Sequence, residues 1–560
     1  MASEQLEAAL RAALDAALAA GDLDIDDAPV QITVEPPRSR QFGDYASNLA
    51  LTLGGRAKLP PREVAARIAR HIAPGRLIER VEVAGPGFLN FHLHPSWLQD
   101  TLVQIESQDD RYGTCQAHTG ERVLIEFVSA NPTGPISVVN GRAAALGDSL
   151  ARLLEACGAQ ASREFYVNDA LNSTQLDLLG ASLAARYFQE LGQHRPLPED
   201  GYHGEYLVEI ARDLVAEHGD RFASLSEAEL VPLFRSLAEE RMIAQQRRDL
   251  EAFGVVFDTW FRESSLYASG AVAEAIEEMK RRGHAYEKDG ALWLRSTELA
   301  GDDQDRVLVR SNDRETYVAA DAAYHKNKFD RGFTRLIDIW GADHHGYVAR
   351  LKAGIAALGY DMDRCQIILT QMVLLMRDGE PVRGSKRAGD IIPLIDLVNE
   401  VGRDAARFYF LLNSYETTAT FDLDLAKKQS ADNPVFYAQY AHARCCAVLR
   451  RAEELGVAVR PAAQVDRSLL THEKERDLLR RLADYPGEVR LATDLIAPHR
   501  LTAHVREIGQ ALHQFYEECP ALKEGTPPAL RDARLAVFNA TRIVVRNLLG
   551  LLGVSAPEKM

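Results

Sequence analysis

From residue 3 to about residue 20, charged positions alternate with Ala and Leu at helical spacing. Val30-Gln31-Ile32-Thr33-Val34 then changes to the period of two that suits a half-buried strand, and Pro36 and Pro37 end it. Phe42-Gly43-Asp44-Tyr45, two helical runs, and the pair Val81-Glu82-Val83 and Phe88-Leu89-Asn90-Phe91 around Gly85-Pro86-Gly87 complete the pattern of a small α+β unit. After a polar stretch from Ser107 to Glu121, Val123-Leu124-Ile125-Glu126-Phe127-Val128 is nearly all apolar, as a buried parallel strand requires. From there to about residue 425, strand candidates at Val307–Val309, Leu336–Trp340 and Gln366–Leu369 alternate with helical segments, the pattern of an α/β sheet with crossovers. Pro196 to Gly201 is a turn cluster opening a charged helical stretch that the spacing extends to about 285. Beyond Asn433-Pro434, heptad-like spacing continues to residue 553 with few strand signals. Three domains follow: 1–115, 116–428 with a helical insertion at about 195–285, and 429–560.

Composition narrows the class. Of 560 residues, 46% are hydrophobic and 26% charged, which fits a soluble globular chain with several cores and excludes collagen-like or wholly disordered readings. No apolar run approaches the roughly 20 residues of a membrane span. The N-terminus has no basic start, apolar block or cleavage site, so a cytoplasmic location is expected. The six cysteines form no CxxC pair, and only Cys445 and Cys446 lie close together, which argues against a disulfide framework or a zinc knuckle. The net charge of −16 speaks at first against a nucleic-acid partner. Residues 431–560, however, hold 18 Lys and Arg against 16 Asp and Glu, so the acidity lies almost wholly in the first 430 residues.

Four segments could carry chemistry. Glu126 to Pro135 is a strand breaking into a polar loop before a helix, which points a helix N-terminus at the carboxyl edge of the sheet and suits phosphate or carboxylate. Without GxGxxG or GxxxxGK[ST], an ordinary βα turn is equally compatible. Trp340-Gly341-Ala342-Asp343-His344-His345-Gly346-Tyr347 offers a polar pocket lining at a strand end. Its spacing does not suit a metal, because neighbouring imidazoles point apart. Gly379 to Asp390 is a basic, glycine-flanked loop of the kind that can meet developing pyrophosphate charge, and equally a solvated surface loop. Tyr317 and Asp321, at i and i+4, place a phenol and a carboxylate on one helix face, whether toward a cationic ligand or toward solvent.

In this order these residues resemble the arginyl-tRNA synthetase family of class I. Phe42 to Tyr45 and Val83 to Asn90 are similar to the additional N-terminal domain that in this family contacts the tRNA elbow. Glu126 to Gly134 resembles its EFVSANPTG loop. Pro198 to Gly204, Trp340 to Tyr347 and Ser385-Lys386-Arg387-Ala388-Gly389 resemble further family stretches, and Asn433 to Arg444 resembles the start of its anticodon-binding domain. The resemblance implies an α/β fold: a Rossmann-like parallel-sheet catalytic domain, an α+β N-terminal domain and an all-α C-terminal anticodon-binding domain. It implies attachment of L-arginine to tRNA(Arg) through an arginyl-adenylate for protein synthesis, by a monomer, with ATP as substrate, Mg²⁺ accompanying ATP and no protein-bound metal. By motif position, Ser137, Asn140, Ser385, Lys386 and Arg387 would be catalytic. Pro132, Thr133, Gly134, Pro135, Val138, Val139 and Gly141 would hold ATP. Glu126, Ser129, Asn131, Tyr317, Asp321, Asp343 and His344 would hold arginine, with Glu126, Tyr317 and Asp321 around the guanidinium, and Tyr440 and Arg444 would contact tRNA.

The chain departs from the family at its His-x-Gly-His or His-x-Gly-Asn tetrapeptide, which here is Ser137-Val138-Val139-Asn140. Loss of one donor to a transition state costs on the order of 3 kcal/mol, and methyl groups where adenine meets a glycine cost roughly 1 to 3 kcal/mol. Arg383-Gly384 replaces the Lys-Met common in the basic loop. An active ligase is the leading expectation. The alternatives are a tRNA-binding paralogue with impaired adenylation and a small-molecule nucleotidyltransferase with no nucleic-acid partner.

Overall fold

The computed structural model describes residues 2–26, 28–35, 37, 39–170, 173–382 and 392–560. Five strands form the central sheet: β1 (Arg122–Glu126), β2 (Gln160–Val167), β3 (Thr259–Arg262), β4 (Arg335–Gly341) and β5 (Cys365–Thr370). All pairs are parallel, in the order β5-β4-β1-β2-β3. After β3 the chain returns to the other side of β1, so the strand order reverses between β1 and β4. The crevice at the carboxyl ends of those two strands is where such a sheet receives ligands. Helix α1 (Val138–Ala156) follows β1, and α2 (Tyr317–Asp330) precedes β4. Phe127, Leu146 and Leu150 pack between sheet and helix in the main core.

The helical region after β2 is shorter than its charge pattern suggests. Helices Thr174–Glu190, Glu205–His218 and Glu227–Ala252 close a core of their own around Tyr187, Phe234 and Met242. The chain then re-enters the central sheet at β3, so the expected insertion to about 285 is interrupted. The aromatic pair Trp260-Phe261 explains this: Trp260 stacks on Phe165 of β2 at 4.2 Å, a sheet-edge contact hidden among helical neighbours. Val307–Val309 also belongs elsewhere, in a separate antiparallel sheet of Ala285–Lys288, Ala291–Leu294 and Arg306–Val309. Val30–Val34 forms no strand; only Glu35 bridges to Ala46 next to it. The alternation there marks an extended segment without a ladder partner.

The N-terminal unit has its own core from Ala2 to Leu93. Helix Pro95–Gln108, expected inside that unit, packs instead on the C-terminal bundle of α3 (Pro434–Glu454), α4 (Glu473–Asp494), α5 (His499–Glu518) and α6 (Pro528–Leu551). The Gly-Asp-Tyr motif is the clasp between the two. Gly43 has φ +97°, and a Cβ there would lie 2.6 Å from Phe91 O. Asp44 receives Leu93 N at 2.8 Å and Arg480 Nε of α4 at 2.7 Å, while Tyr45 donates to Asp484 at 2.9 Å. On the far side, the fully buried Arg407 ties α1 to the end of the bundle by donating to Asp148 at 2.6 Å and to Leu552 O at 3.2 Å.

Candidate functional site

The chain leaves β1 through two residues in the left-handed region, Val128 (φ +71°) and Ser129 (φ +41°). For a β-branched residue this conformation costs on the order of 1 to 3 kcal/mol and persists only where its surroundings hold it. They do so here by hydrogen bonds: Ser129 Oγ donates to Glu126 Oε1 at 2.9 Å and accepts Tyr166 N–H at 3.1 Å. The following loop is held from behind by the helical region. Gln246 Nε2 donates to Asn131 O at 3.0 Å and to Gly134 O at 2.9 Å, and the Tyr206 hydroxyl donates to Thr133 O at 2.8 Å. Asn131 is exposed and donates to Gln175 at 3.2 Å; Pro132 is buried; Thr133, Gly134 and Pro135 are half-buried.

The start of α1 is closed on itself. Ser137 is the N-cap, with its Oγ accepting Asn140 N–H at 3.4 Å and donating to Asn140 Oδ1 at 2.6 Å. Val138 N–H is taken by Ile392 O at 2.9 Å, and the Val138 side chain is buried in the main core, where it cannot touch a nucleotide. Val139 is 52% exposed and presents its methyls at the helix tip. Gly141 leaves no room for a side chain, since a Cβ would lie 2.6 Å from Leu394 Cδ1 and 3.0 Å from Phe410. Ile136 O accepts Leu394 N–H at 2.7 Å. These bonds tie the helix start to the chain just after residues 383–391, so Ser385, Lys386 and Arg387 lie outside the described residues but their anchor does not.

Across the crevice stand the acids. Asp321 on α2 accepts a hydrogen bond from the Tyr347 hydroxyl. Burial raises its carboxyl above the usual range, against the Tyr347 bond and the nearby His325 and Lys328. Glu263, just beyond β3, is 2% exposed and held up at about 7 by burial and then by Asp321, with the Tyr166 hydroxyl bonded to it. Two desolvated carboxylates, one raised by the charge of the other, suit a cationic ligand group. Glu263 was not identified from the sequence; its signal was an acid directly after an aromatic strand, legible only once that strand is assigned. Glu126, expected at the guanidinium, ends β1 with its carboxylate held by two neighbours. Its Oε2 accepts Lys328 Nζ at 2.6 Å, so both its oxygens are engaged. Tyr317 is 65% exposed at the first turn of α2. Asp343 and His344 pair with each other at 3.7 Å on an exposed 3₁₀ turn, with side chains 83% and 59% exposed, and so line the rim rather than the depth.

His325, Asp338 and Cys365 also converge, in an arrangement that could hold a metal ion. Lys328 Nζ already donates to Asp338 Oδ1 there at 2.9 Å and supplies the positive charge. On the bundle, the Arg444 guanidinium lies 4.8 Å from the Tyr440 ring and 4.4 Å from that of Tyr516, and donates to the Tyr440 hydroxyl at 2.7 Å. The three line a groove of about 840 Å³ with Arg450, Arg451 and Lys523. Aromatic faces interleaved with cations are suited to unstacked nucleobases and their phosphates.

Three family models match the chain end to end: the arginyl tRNA synthetase N terminal domain over residues 4–93, the class I (R) tRNA synthetase catalytic domain over 101–424, and the DALR anticodon binding domain over 438–560. The chain is 48% identical to the arginine–tRNA ligase of Moorella thermoacetica over 99% of this chain and 98% of that one. It is 43% identical to that of Bacillus subtilis over the full length of both. In fold it resembles the arginyl-tRNA synthetase of Thermus thermophilus, with a TM-score of 0.77 at 21% identity over all of both chains.

Proposed function

Because the chain belongs to the arginyl-tRNA synthetase family of class I, attaching arginine to tRNA, we propose that the β1/β4 crevice performs that reaction with the following division of labour. The arginine side chain enters between Asp321 and Glu263, with Tyr347 and Tyr166 fixing the two carboxylates. A planar, permanently charged guanidinium satisfies both acids, whereas neutral citrulline leaves them unpaired and lysine offers a point charge without the fork. Ser129 and Asn131 hold the backbone end, and Tyr317, Asp343 and His344 stand at the rim. ATP lies along Pro132–Pro135 and the tip of α1, with adenine against Val139, while the buried Gly141 lets α1 pack on Leu394 and Phe410, and Ser385, Lys386 and Arg387 meet its phosphates. The arginine carboxylate attacks the α-phosphorus and pyrophosphate leaves; a ribose hydroxyl of the tRNA terminus then attacks the carbonyl of the arginyl-adenylate, forming the ester as AMP leaves and the hydroxyl proton is lost. Catalysis is mostly positioning and stabilisation of phosphate charge. Mg²⁺ enters with ATP as part of the substrate.

The observation that carries this reading is the two desolvated carboxylates at the carboxyl edge of the sheet, Asp321 on α2 and Glu263 after β3, with the charge of Asp321 raising Glu263. Tyr440 and Arg444 offer the tRNA a stacking platform at the other end of the same chain. That one chain holds both sites supports a monomer, and six unpaired cysteines fit a reducing, cytoplasmic setting. Among the described residues, no helix is long and apolar enough to cross a membrane. Charging of tRNA(Arg) with labelled arginine, challenged by excess lysine or citrulline, tests the assignment: arginine alone should compete. Equal competition by citrulline would refute it.

A further inference from the structure

Arg142 lies one turn into α1 and is 1% exposed. Its guanidinium serves backbone carbonyls, donating from Nη1 to Gln371 O at 2.9 Å and Thr417 O at 2.8 Å, and from Nη2 to Ser414 O at 2.8 Å. Those carbonyls come from two segments remote in sequence: Gln371 follows the end of β5, and Ser414 to Thr417 leads into the strand Ala419–Asp422. Burial lowers the pKa of Arg142, and among the described residues no acid is set against it to offset that. A desolvated cation without a carboxylate is costly, and an apolar side chain would fill a core at less cost. What the planar fork provides is geometry, because one head group fixes two chain segments at three points.

The segments so fixed are the stems of the basic loop. From Gln371 the chain passes into the strand Val373–Arg377, which pairs with Ala419–Asp422 and turns back through Glu380–Pro381 ahead of residues 383–391. Tyr415 O accepts Gln371 N–H at 2.9 Å and Met372 O accepts Ala419 N–H at 3.0 Å, which knits the two segments together. The chain returns at Ile392, whose carbonyl accepts Val138 N–H at 2.9 Å, and at Leu394, which donates to Ile136 O at 2.7 Å. Val138 and Arg142 stand at i and i+4 on α1, one turn apart. The start of α1 therefore grips the outgoing stem through Arg142 and the returning stem through its backbone.

We propose that Arg142 is a positioning residue for the phosphate side of the reaction: it seats the strand Val373–Arg377 against α1 and so fixes the base from which Ser385, Lys386 and Arg387 extend. It touches neither ATP nor arginine. The inference rests on the reading above in which those three residues meet the phosphates. Stabilisation of phosphate charge depends on placement, and a shift of about 1 Å that originates away from the chemistry can cost about a hundredfold in rate. Asp321 and Glu263 sit on α2 and just after β3, elements that Arg142 does not bind, so arginine binding is independent of it.

The test uses the full chain with Arg142→Met, Arg142→Lys, Lys386→Ala and the Arg142→Met/Lys386→Ala double variant. Charging of tRNA(Arg) gives kcat and the KM for ATP and for arginine, and thermal unfolding is followed on each. Arg142→Met should lower kcat/KM for ATP at least about tenfold, with the arginine KM changed by less than about threefold. Arg142→Lys, whose single ammonium cannot span three carbonyls, should fall between Arg142→Met and the unaltered protein. Because Arg142 acts through the loop, the double variant should lie within about threefold of Lys386→Ala alone, not at the product of the two single losses. A folded Arg142→Met protein with an unchanged kcat/KM for ATP would overturn the proposal. So would losses that multiply in the double variant, or an arginine KM that rises as far as the ATP KM, the mark of a loosened core. If Arg142→Met does not fold, Arg142→Lys and its combination with Lys386→Ala decide by the same criteria. An unchanged Lys386→Ala protein would instead take the basic loop away from the phosphates, overturning the reading beneath the proposal and the proposal with it.

Discussion

Ser137 Oγ lies 2.6 Å from Asn140 Oδ1, and this bond ties up the residue that stands where relatives in the family carry a histidine toward the ATP phosphates. Ser137 therefore acts first as a helix cap. Its hydroxyl proton is donated to Asn140 and its lone pair accepts Asn140 N–H, so reaching a phosphate would mean opening the cap. Ser137→Ala should cost about 1 kcal/mol of stability in denaturant unfolding. The same variant should change the ATP KM by less than about threefold. A large rise in ATP KM with unaltered stability would instead assign Ser137 to the nucleotide.

Arginine binding should depend on pH near neutrality through Glu263. Its pKa in the free protein is held at about 7 by burial, Asp321 and Asp169, and a bound guanidinium favours the ionised form. Below pH 7 binding must first expel a proton, so arginine affinity should fall as the pH drops from 8 to 6 and level off above. Calorimetry in buffers of different ionisation enthalpy should show proton release at pH 6. The Glu263→Gln protein should lose that release.

Removing either acid should separate amino-acid binding from nucleotide binding. Asp321→Asn and Glu263→Gln are each expected to weaken arginine by about 2 to 3 kcal/mol, roughly thirtyfold to a hundredfold, the cost of a lost charged partner. ATP KM should stay near that of the unaltered protein. Similar losses for both substrates would mean that the crevice has collapsed.

On the bundle, Arg444 sits between the Tyr440 and Tyr516 rings, and a guanidinium so stacked contributes on the order of 1 kcal/mol. Arg444→Ala should raise the tRNA KM about fivefold and reduce its salt dependence by about one ion, leaving arginine and ATP KM unchanged. Arg444→Lys should keep the salt slope and lose the stacking. An unchanged tRNA KM in Arg444→Ala would remove this groove from the tRNA path.

Much of this architecture was legible in apolar spacing. The buried strand from Val123, which ends at Glu126 rather than Val128, the strands at Leu336–Trp340 and Gln366–Leu369, and the C-terminal helices follow from period and run length. β3 was not, because four residues between helices carry too short a pattern, and its meaning comes from Trp260 stacking on a strand remote in sequence. The site divided in the same way. Tyr317 and Asp321 announced themselves by helical spacing. Glu263 and Lys328 did not, since a lone acid after a strand and a lysine in a polar helix look like surface until tertiary packing buries them. Glu126 was visible, but its partner Lys328 was not.

The central claim is that this site forms arginyl-tRNA with Ser137-Val138-Val139-Asn140 in place. It is tested most directly by charging cognate tRNA with labelled arginine, ATP and Mg²⁺, beside the Ser137→His/Val139→Gly double variant. Measurable charging by the unaltered chain is expected, at a rate about a hundredfold or more below that of the double variant, since the missing donor costs on the order of 3 kcal/mol while the cap keeps α1 in position. No charging by the unaltered chain, with activity restored in the double variant, would contradict the account and leave a tRNA-binding scaffold whose nucleotide site is closed.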